Sequence, residues 1–246
     1  MIIGSRHLFF KNLPSTNSYA ASLIKENKAH EGAVISTNYQ SAGRGQGGNK
    51  WESEEGKNLL ISVILFPSMI APEDQFLLSM AVSLGICDFL ERYTSGISVK
   101  WPNDIYVNND KIAGILIENS IMGESIEHTI AGIGININQT TFCSDAPNPV
   151  SLTNLTGKQY DLAVCLDQLI SDLDKRYKLL IGEESVDVRH DYLSRLYRHN
   201  QWCKYKDING PFTGCLLNVT TSGRLNVERE DGRVNVYSFK EIDFIL

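Results

Sequence analysis

Apolar positions alternate between two rhythms along the chain. The stretches Gly32 to Asn38 (GAVISTN) and Asn58 to Phe66 (NLLISVILF) are β-branched and nearly unbroken, bounded by glycine or proline, and predict buried strands. Ahead of them, Tyr19, Ala20, Leu23 and Ile24 recur at helical spacing after Pro14 and Ser15, so Ser15 or a neighbour caps a short helix. Its amino end then points at whatever lies near Ser15, Thr16 and Asn17. From Asp74 to Tyr93 almost every face is apolar, as in a central buried helix, with Gly96 as its stop. Four strand-like stretches follow, Ile97 to Lys100, Ile105 to Val107, Lys111 to Glu118 and Glu127 to Asn138, predicting a meander beside the first strands.

Leu162, Leu166, Leu169, Leu173, Tyr177 and Leu180 mark an amphipathic helix from Asp161 to Gly182, and a weaker one runs from Val186 to Tyr197. These two helices are expected to cover one face of the sheet. Beyond His199 the texture changes to short strands, Trp202 to Tyr205, Phe212 to Val219, Leu225 to Glu228 and Val234 to Phe239, with turn glycines at Gly210, Gly223 and Gly232. The pattern predicts an α/β protein of the α+β kind in two units, residues 1–199 and a small all-β barrel over residues 200–246.

Composition narrows the partners. With 246 residues, 42% hydrophobic and 21% charged, the chain can bury a real core. The balance of 23 Lys+Arg against 29 Asp+Glu gives a net charge of −6, which does not attract a phosphate backbone, so no nucleic-acid partner is expected. Five scattered cysteines form no C-x-x-C pair and no metal-ligand spacing, and read as reduced packed thiols. The start is too weakly apolar for a signal peptide and no stretch approaches the roughly 20 residues of a membrane span, so a cytoplasmic protein without membrane contact is expected.

Three clusters carry candidate chemistry. Gly43-Arg44-Gly45-Gln46-Gly47-Gly48 matches G-x-G-x-x-G, but a dinucleotide fingerprint needs a helix directly after it, and a strand follows here. Gly48-Asn49-Lys50 lacks the hydroxyl residue and spacing of a P-loop. The stretch from Tyr39 to Lys57 is a loop in which four glycines in six positions bare their N–H groups. Either it wraps an anion with help from Arg44 and Lys50, or it is a surface loop. Trp51 either packs on a planar ligand such as a purine or folds back on the sheet. In Lys100-Trp101-Pro102-Asn103-Asp104 and Lys111-Ile112-Ala113-Gly114-Ile115, strict alternation places Lys111 on the same sheet face as Ala113 and Ile115, either snorkelling or holding an oxyanion beside Asp104. In Gly132-Ile133-Gly134-Ile135-Asn136-Ile137-Asn138, alternation puts Gly132, Gly134, Asn136 and Asn138 on one face. Two glycines there imply close approach of a ligand or another backbone, or a tight core contact.

GRGxxGxxW-x-S, KWPND followed by K-x-AGI-x-x-E, and GIGIN, in this order and spacing, resemble the biotin protein ligase family from about Leu13 to the carboxyl end. The resemblance implies a mixed, largely antiparallel sheet with helices, like the catalytic domain of class II aminoacyl-tRNA synthetases, followed by a small SH3-like barrel. It implies that Ser15, Thr16, Asn17 and Gln40 bind the ureido end of biotin. Gly43, Arg44, Gly45, Gln46 and Gly114 would enclose the valeryl chain and carboxylate. Lys111 would hold that carboxylate and the α-phosphate of ATP. Trp51 would stack on adenine, Asn103, Gly134 and Asn136 would bind the nucleotide, and Asp104 would sit by the reacting phosphate and the incoming lysine. Lys111, Arg44 and Asp104 are thus the catalytic candidates.

The implied reaction uses ATP, Mg²⁺ and biotin, passes through biotinoyl-5′-adenylate, and modifies one lysine of a biotin carboxyl carrier protein or domain. No ligand of the metal is identified. Where some members carry further arginines in the loop, this chain has Gln46, Gly47 and Asn49. A lipoate ligase or octanoyltransferase of the same fold is the first rival. A biotin-sensing DNA-binding repressor is the second, disfavoured because fourteen residues precede Ser15, too few for a helix-turn-helix domain there. A homodimer is compatible with the resemblance.

Overall fold

The computed structural model describes residues 1–143, 148–182 and 188–245. Its larger sheet has seven strands: β1 (His7–Leu13), β2 (Val34–Gln40), β3 (Leu59–Leu65), β4 (Ile97–Lys100), β5 (Asp104–Val107), β6 (Asp110–Met122) and β7 (Ser125–Ile135). The order across it is β1-β2-β3-β7-β6-β5-β4. Only the β1–β2 pair is parallel, so the sheet is mixed and mostly antiparallel. The predicted meander runs from β4 to β7 and joins the first strands through the β3–β7 ladder. β1 was not predicted. Its sequence, HLFFKNL, mixes Phe9 and Lys11 on exposed positions of an edge strand, which blurs any alternation.

The two faces are covered unequally. Helix α1 (Thr16–Lys25), capped by Ser15, which accepts from Ser18 N, lies against β2, β3 and β7 on one face. There Leu13, Ala20, Ile35, Ile64 and Ile130 form a small apolar cluster. On the other face lies α2 (Phe76–Leu90), buried on nearly every side as its composition predicts. The later helices cover α2 rather than touching the sheet extensively as expected: α4 (Leu162–Ile181) and α5 (Val188–Ser194) pack on α2, after a short α3 (Leu152–Thr156). Gly85 is the reason α4 comes so near. A Cβ there would stand 3.1 Å from the Leu173 backbone. The expected start of the last helix at Val186 lies outside the described residues.

Asp88 on α2 accepts from Arg176 on α4 at 2.5 and 2.9 Å and from Arg195 just past α5 at 2.8 Å, tying these layers together. The five-stranded second sheet, order β11-β10-β9-β8-β12, comprises β8 (Trp202–Asp207), β9 (Gly210–Val219), β10 (Leu225–Arg229), β11 (Val234–Tyr237) and β12 (Asp243–Phe244). Its core residues Tyr205, Leu216, Val227 and Ile242 belong to the same hydrophobic cluster as α2 and the large sheet. Phe76 packs against Gly223, and Trp101 Nε1 donates to Gly223 O at 3.0 Å. All five cysteines are free, with Cys87, Cys165 and Cys215 buried. No helix among the described residues is long and apolar enough to cross a membrane.

Candidate active site

A cleft of about 340 Å³ opens on the α1 face, roofed by the glycine-rich segment and closed at one end by the second sheet. Its floor is made of glycines. Gly114 on β6 pairs with Gly134 on β7, and Trp51 lies across both. A Cβ on Gly134 would stand 2.7 Å from Trp51 Cζ2 and Nε1, and one on Gly114 would stand 2.7 Å from Cζ3. A Cβ on Gly132 would collide with Asn17. What approaches these strand glycines is therefore a pair of the chain's own side chains. The indole folds back on the sheet, the second of the two alternatives for Trp51, and among the described residues its N–H has no hydrogen-bond partner.

The roof is more ordered than a plain loop. Trp51 N donates to Gly43 O at 3.0 Å and Gly45 N to Asn49 O at 2.7 Å, and Arg44 bridges Lys50, folding the segment into a small hairpin with a tight turn over Gln46–Gly48. Gly47 has φ +67, a left-handed value that glycine tolerates at no steric cost.

At the polar end, the start of α1 meets β2 and β3. Gln40 Oε1 accepts from Thr16 N at 2.8 Å and from Thr16 Oγ1 at 3.1 Å. Ser62 Oγ is 2.7 Å from Thr16 Oγ1 and 2.5 Å from Asn17 Oδ1. Asn17 Nδ2 donates to Glu118 Oε2 at 2.7 Å, and Arg44 Nη2 reaches the same oxygen at 2.9 Å. The sequence reading missed Ser62 and Glu118. Glu118 closes the K-x-AGI-x-x-E run, and its alternation with Gly114 and Leu116 was a usable signal for it.

At the charged end, Lys111 Nζ lies 2.6 Å from Asp104 Oδ1, both side chains 20% exposed. The expected sharing of a face with Ala113 and Ile115 does not hold. Ile105 pairs with Ala113 but Tyr106 pairs with Lys111, so Ile112 is an extra residue in β6. This bulge inverts the alternation and turns Lys111 toward Gly114, Asp104 and the cleft. Lys111 N and O are both fixed by the neighbouring segment, to Asn148 O and Val150 N. Lys100 also lines the cleft, its ammonium 3.0 Å from Tyr106 Oη; burial holds its pKa below the ordinary lysine value although Asp104 opposes the shift.

Ser15, Thr16, Asn17, Gln40, Arg44, Gly45, Gln46, Trp51, Asn103, Asp104, Lys111, Gly114 and Gly134 all line the cleft. Gly43 stands behind the wall, against the Trp51 backbone. Asn136 is not brought to it: β7 ends at Ile135, and the Asn136 amide donates to Val150 O at 3.1 Å, holding the segment that fixes Lys111. Asn138 likewise turns away, to Tyr160. Phe239, Lys240, Ile242, Asp243 and Phe244 complete the cleft from the second sheet, and no motif pointed to them. Among the described residues no group of three or more His, Cys, Asp or Glu could hold a metal ion.

A glycine-floored cleft with hydroxyl and amide groups at one end and a lysine–aspartate pair at the other suits a small acyl group joined to a nucleotide. The sequence profile of the Biotin/lipoate A/B protein ligase family matches residues 9–136, just over half of the chain, and the protein belongs to that family. Over 243 residues it is 29% identical to the bifunctional ligase/repressor BirA of Bacillus spizizenii, covering 95% of this chain and 73% of that one. It is 27% identical over 232 residues to the biotin--[acetyl-CoA-carboxylase] ligase of Paracoccus denitrificans, covering 90% and 95% of the two. The biotin protein ligase from Aquifex aeolicus in complex with biotin and ATP superposes with a TM-score of 0.79 at 25% identity, over 97% of this chain and 98% of that one.

Proposed function

We propose that this protein is an ATP-dependent ligase that activates biotin to biotinoyl-5′-adenylate and transfers biotin to a lysine of a biotin carboxyl carrier protein or domain. The observation that carries this reading is the cleft itself, with Ser15, Thr16, Asn17 and Gln40 at one end and the Lys111–Asp104 pair at the other. The Paracoccus denitrificans and Aquifex aeolicus relatives, which align along nearly the whole of both chains, are biotin ligases by name.

In the first step an oxygen of the biotin carboxylate attacks the α-phosphorus of ATP, and the bond to the β-phosphate oxygen breaks with release of pyrophosphate. Two anions must approach each other. At 4 Å their repulsion is about 4 kcal/mol in a surface-like dielectric, and Lys111, rigid on its strand, offsets it together with Arg44. The polar end suits the ureido group: its hydroxyl and amide groups are already oriented by the Gln40–Thr16–Ser62–Asn17 chain of hydrogen bonds, with the Glu118–Arg44 pair beside Asn17. Asn103 and the outward face of Trp51 would receive the adenosine, with Gly134 beneath the indole. Asn136 acts one step removed, through the segment it holds behind Lys111.

In the second step the acceptor amine attacks the acyl carbon, the bond to the phosphate oxygen breaks, and AMP leaves. The incoming lysine must shed a proton from a normal pKa of about 10.4, and Asp104 orients or accepts it. Among the described residues no carboxylate cluster that could hold an ion is present, and Mg²⁺ would enter with the nucleotide phosphates. Residues 200–246 would be the SH3-like unit of the two proposed domains, and a homodimer is compatible with this reading. The test is transfer to an acetyl-CoA carboxylase carrier domain with ATP and equal concentrations of biotin, lipoate or octanoate. Biotin alone should appear on the carrier. Transfer of lipoate or octanoate in its place would move the protein to the other branch of its family.

A further inference from the structure

The glycine-rich hairpin is poor in charge: Arg44 and Lys50 are its cations, and positions 46, 47 and 49 are uncharged. Arg44 is already engaged, 2.9 Å from Glu118. A further cation reaches the hairpin from the opposite end of the chain. Lys240, in the turn between β11 and β12, donates from Nζ to Gly47 O at 3.1 Å and lines the same cleft as Arg44, Gly45 and Gln46. Its stem fills the space beside Gly47, where a Cβ would stand 2.7 Å from Nζ.

The backbone at Lys240 has φ +70, the left-handed region in which glycine is at ease and a long side chain is not. The turn is held by Ser238 N, which donates to Glu241 Oε2 at 2.6 Å, so the carboxylate next to Lys240 in sequence has a backbone partner. The ammonium rests on a peptide carbonyl, a neutral acceptor, beside a cleft whose proposed ligand carries phosphate. A phosphate oxygen is the stronger acceptor for a charged donor.

We propose that Lys240 is a nucleotide-binding residue that supplies the hairpin's missing cation. Its Nζ donates to Gly47 O and, with the nucleotide bound, passes that donor to the phosphate of ATP and of the acyl-adenylate. This role deepens the ligase reading and rests on it. It makes the second sheet part of the site, retaining the intermediate that an arginine-poor hairpin would otherwise release.

Four proteins test it: wild type, Lys240→Gln, which keeps a donor for Gly47 O but no charge, Lys240→Arg and Lys240→Gly. The affinities for ATP alone and biotin alone, the dissociation rate of biotinoyl-adenylate, and the melting temperature are measured for each. Lys240→Gln should weaken ATP binding and speed adenylate release by about 10-fold each, with biotin affinity unchanged. Lys240→Arg should restore both. Lys240→Gly should show the same losses while holding or raising the melting temperature, because the left-handed turn relaxes. Unchanged ATP affinity and release in Lys240→Gln would overturn the proposal, as would equal losses for ATP and biotin, which would make Lys240 a prop for the hairpin. A wild-type protein that forms no adenylate would instead sink the ligase reading. Lys240 is judged even then by binding of ATP alone, which needs no turnover.

Discussion

Gly134→Ala separates the two meanings a glycine pair on one strand face can have. A Cβ at this position would collide with Trp51 Cε2 and stand 2.7 Å from Cζ2 and Nε1, against an ordinary carbon contact of about 3.5–4.0 Å, so one partner must retreat by at least about 1 Å. The strand cannot. Gly134 pairs with Leu60 on one side and Gly114 on the other, inside two continuous ladders. Trp51 sits on the hairpin and can move. Overpacking in a rigid core costs about 1–3 kcal/mol, and because the hairpin gives way the fold should lose about 1 kcal/mol, or about 2–4 °C of melting temperature for a chain of this size. The site should suffer more, since a misplacement of about 1 Å near reacting groups can cost on the order of 100-fold in rate. Thermal melts and biotin-dependent pyrophosphate release, both on purified folded protein, give the two numbers. A melting temperature lowered by roughly 8 °C or more with kcat/KM retained would contradict this reasoning. It would show that Gly134 serves core packing and that Trp51 does not shape the site.

Glu118→Gln removes the charge that holds Arg44 while leaving an acceptor for Asn17. Both side chains are well exposed, so stability should change by less than about 1 kcal/mol, and biotin should bind up to about 5-fold more tightly because Arg44 is released toward the carboxylate. Calorimetry that finds weaker binding would mean that Glu118 positions Arg44 for the ligand. Asp88→Asn should lower stability by about 3 kcal/mol at pH 7, since Arg176 and Arg195 lose a largely buried charged partner. Burial alone would raise the Asp88 pKa, but hydrogen bonds from Arg176 and Arg195 hold it below the ordinary carboxylate value. A depressed folded-state pKa gives stability that is present above the unfolded value of about 3.9 and lost as pH falls through the folded one. Urea titrations should therefore show a constant gap between wild type and Asp88→Asn from pH 8 to about pH 5, narrowing only below pH 4. A gap that closes between pH 7 and pH 5 would assign the effect to another group.

Long, strongly periodic elements were legible in the sequence for physical reasons. The apolar run of α2 and the leucine spacing of α4 leave one solution each, burial and an amphipathic face. The hydroxyl and amide residues at the start of α1 were legible as well, because a capped helix end has a defined direction. What escaped were features set by one residue or by distant chain. The extra residue Ile112 reversed the face of Lys111, and alternation alone cannot show a bulge. Asn136 left the strand because β7 ends at Ile135, where the asparagine amide finds Val150 O. Lys240 and Phe244 carry no local signature. They belong to the cleft only because the second sheet folds against the first, a contact between residues nearly 200 positions apart along the chain.

The most direct test of the account is a single-turnover reaction with biotin and Mg·ATP, quenched and read by mass spectrometry for biotinoyl-adenylate, in wild type and Lys111→Ala. Lys111 is held by its backbone, paired with Asp104 at 2.6 Å and aimed into the cleft. Wild type should accumulate the adenylate with matching pyrophosphate. Lys111→Ala should fold normally and form it about 100- to 1,000-fold more slowly, the loss expected when a preorganised charge is removed from developing phosphate charge. Adenylate formation at the wild-type rate in Lys111→Ala, or none in wild type with biotin while lipoate is consumed, would contradict it.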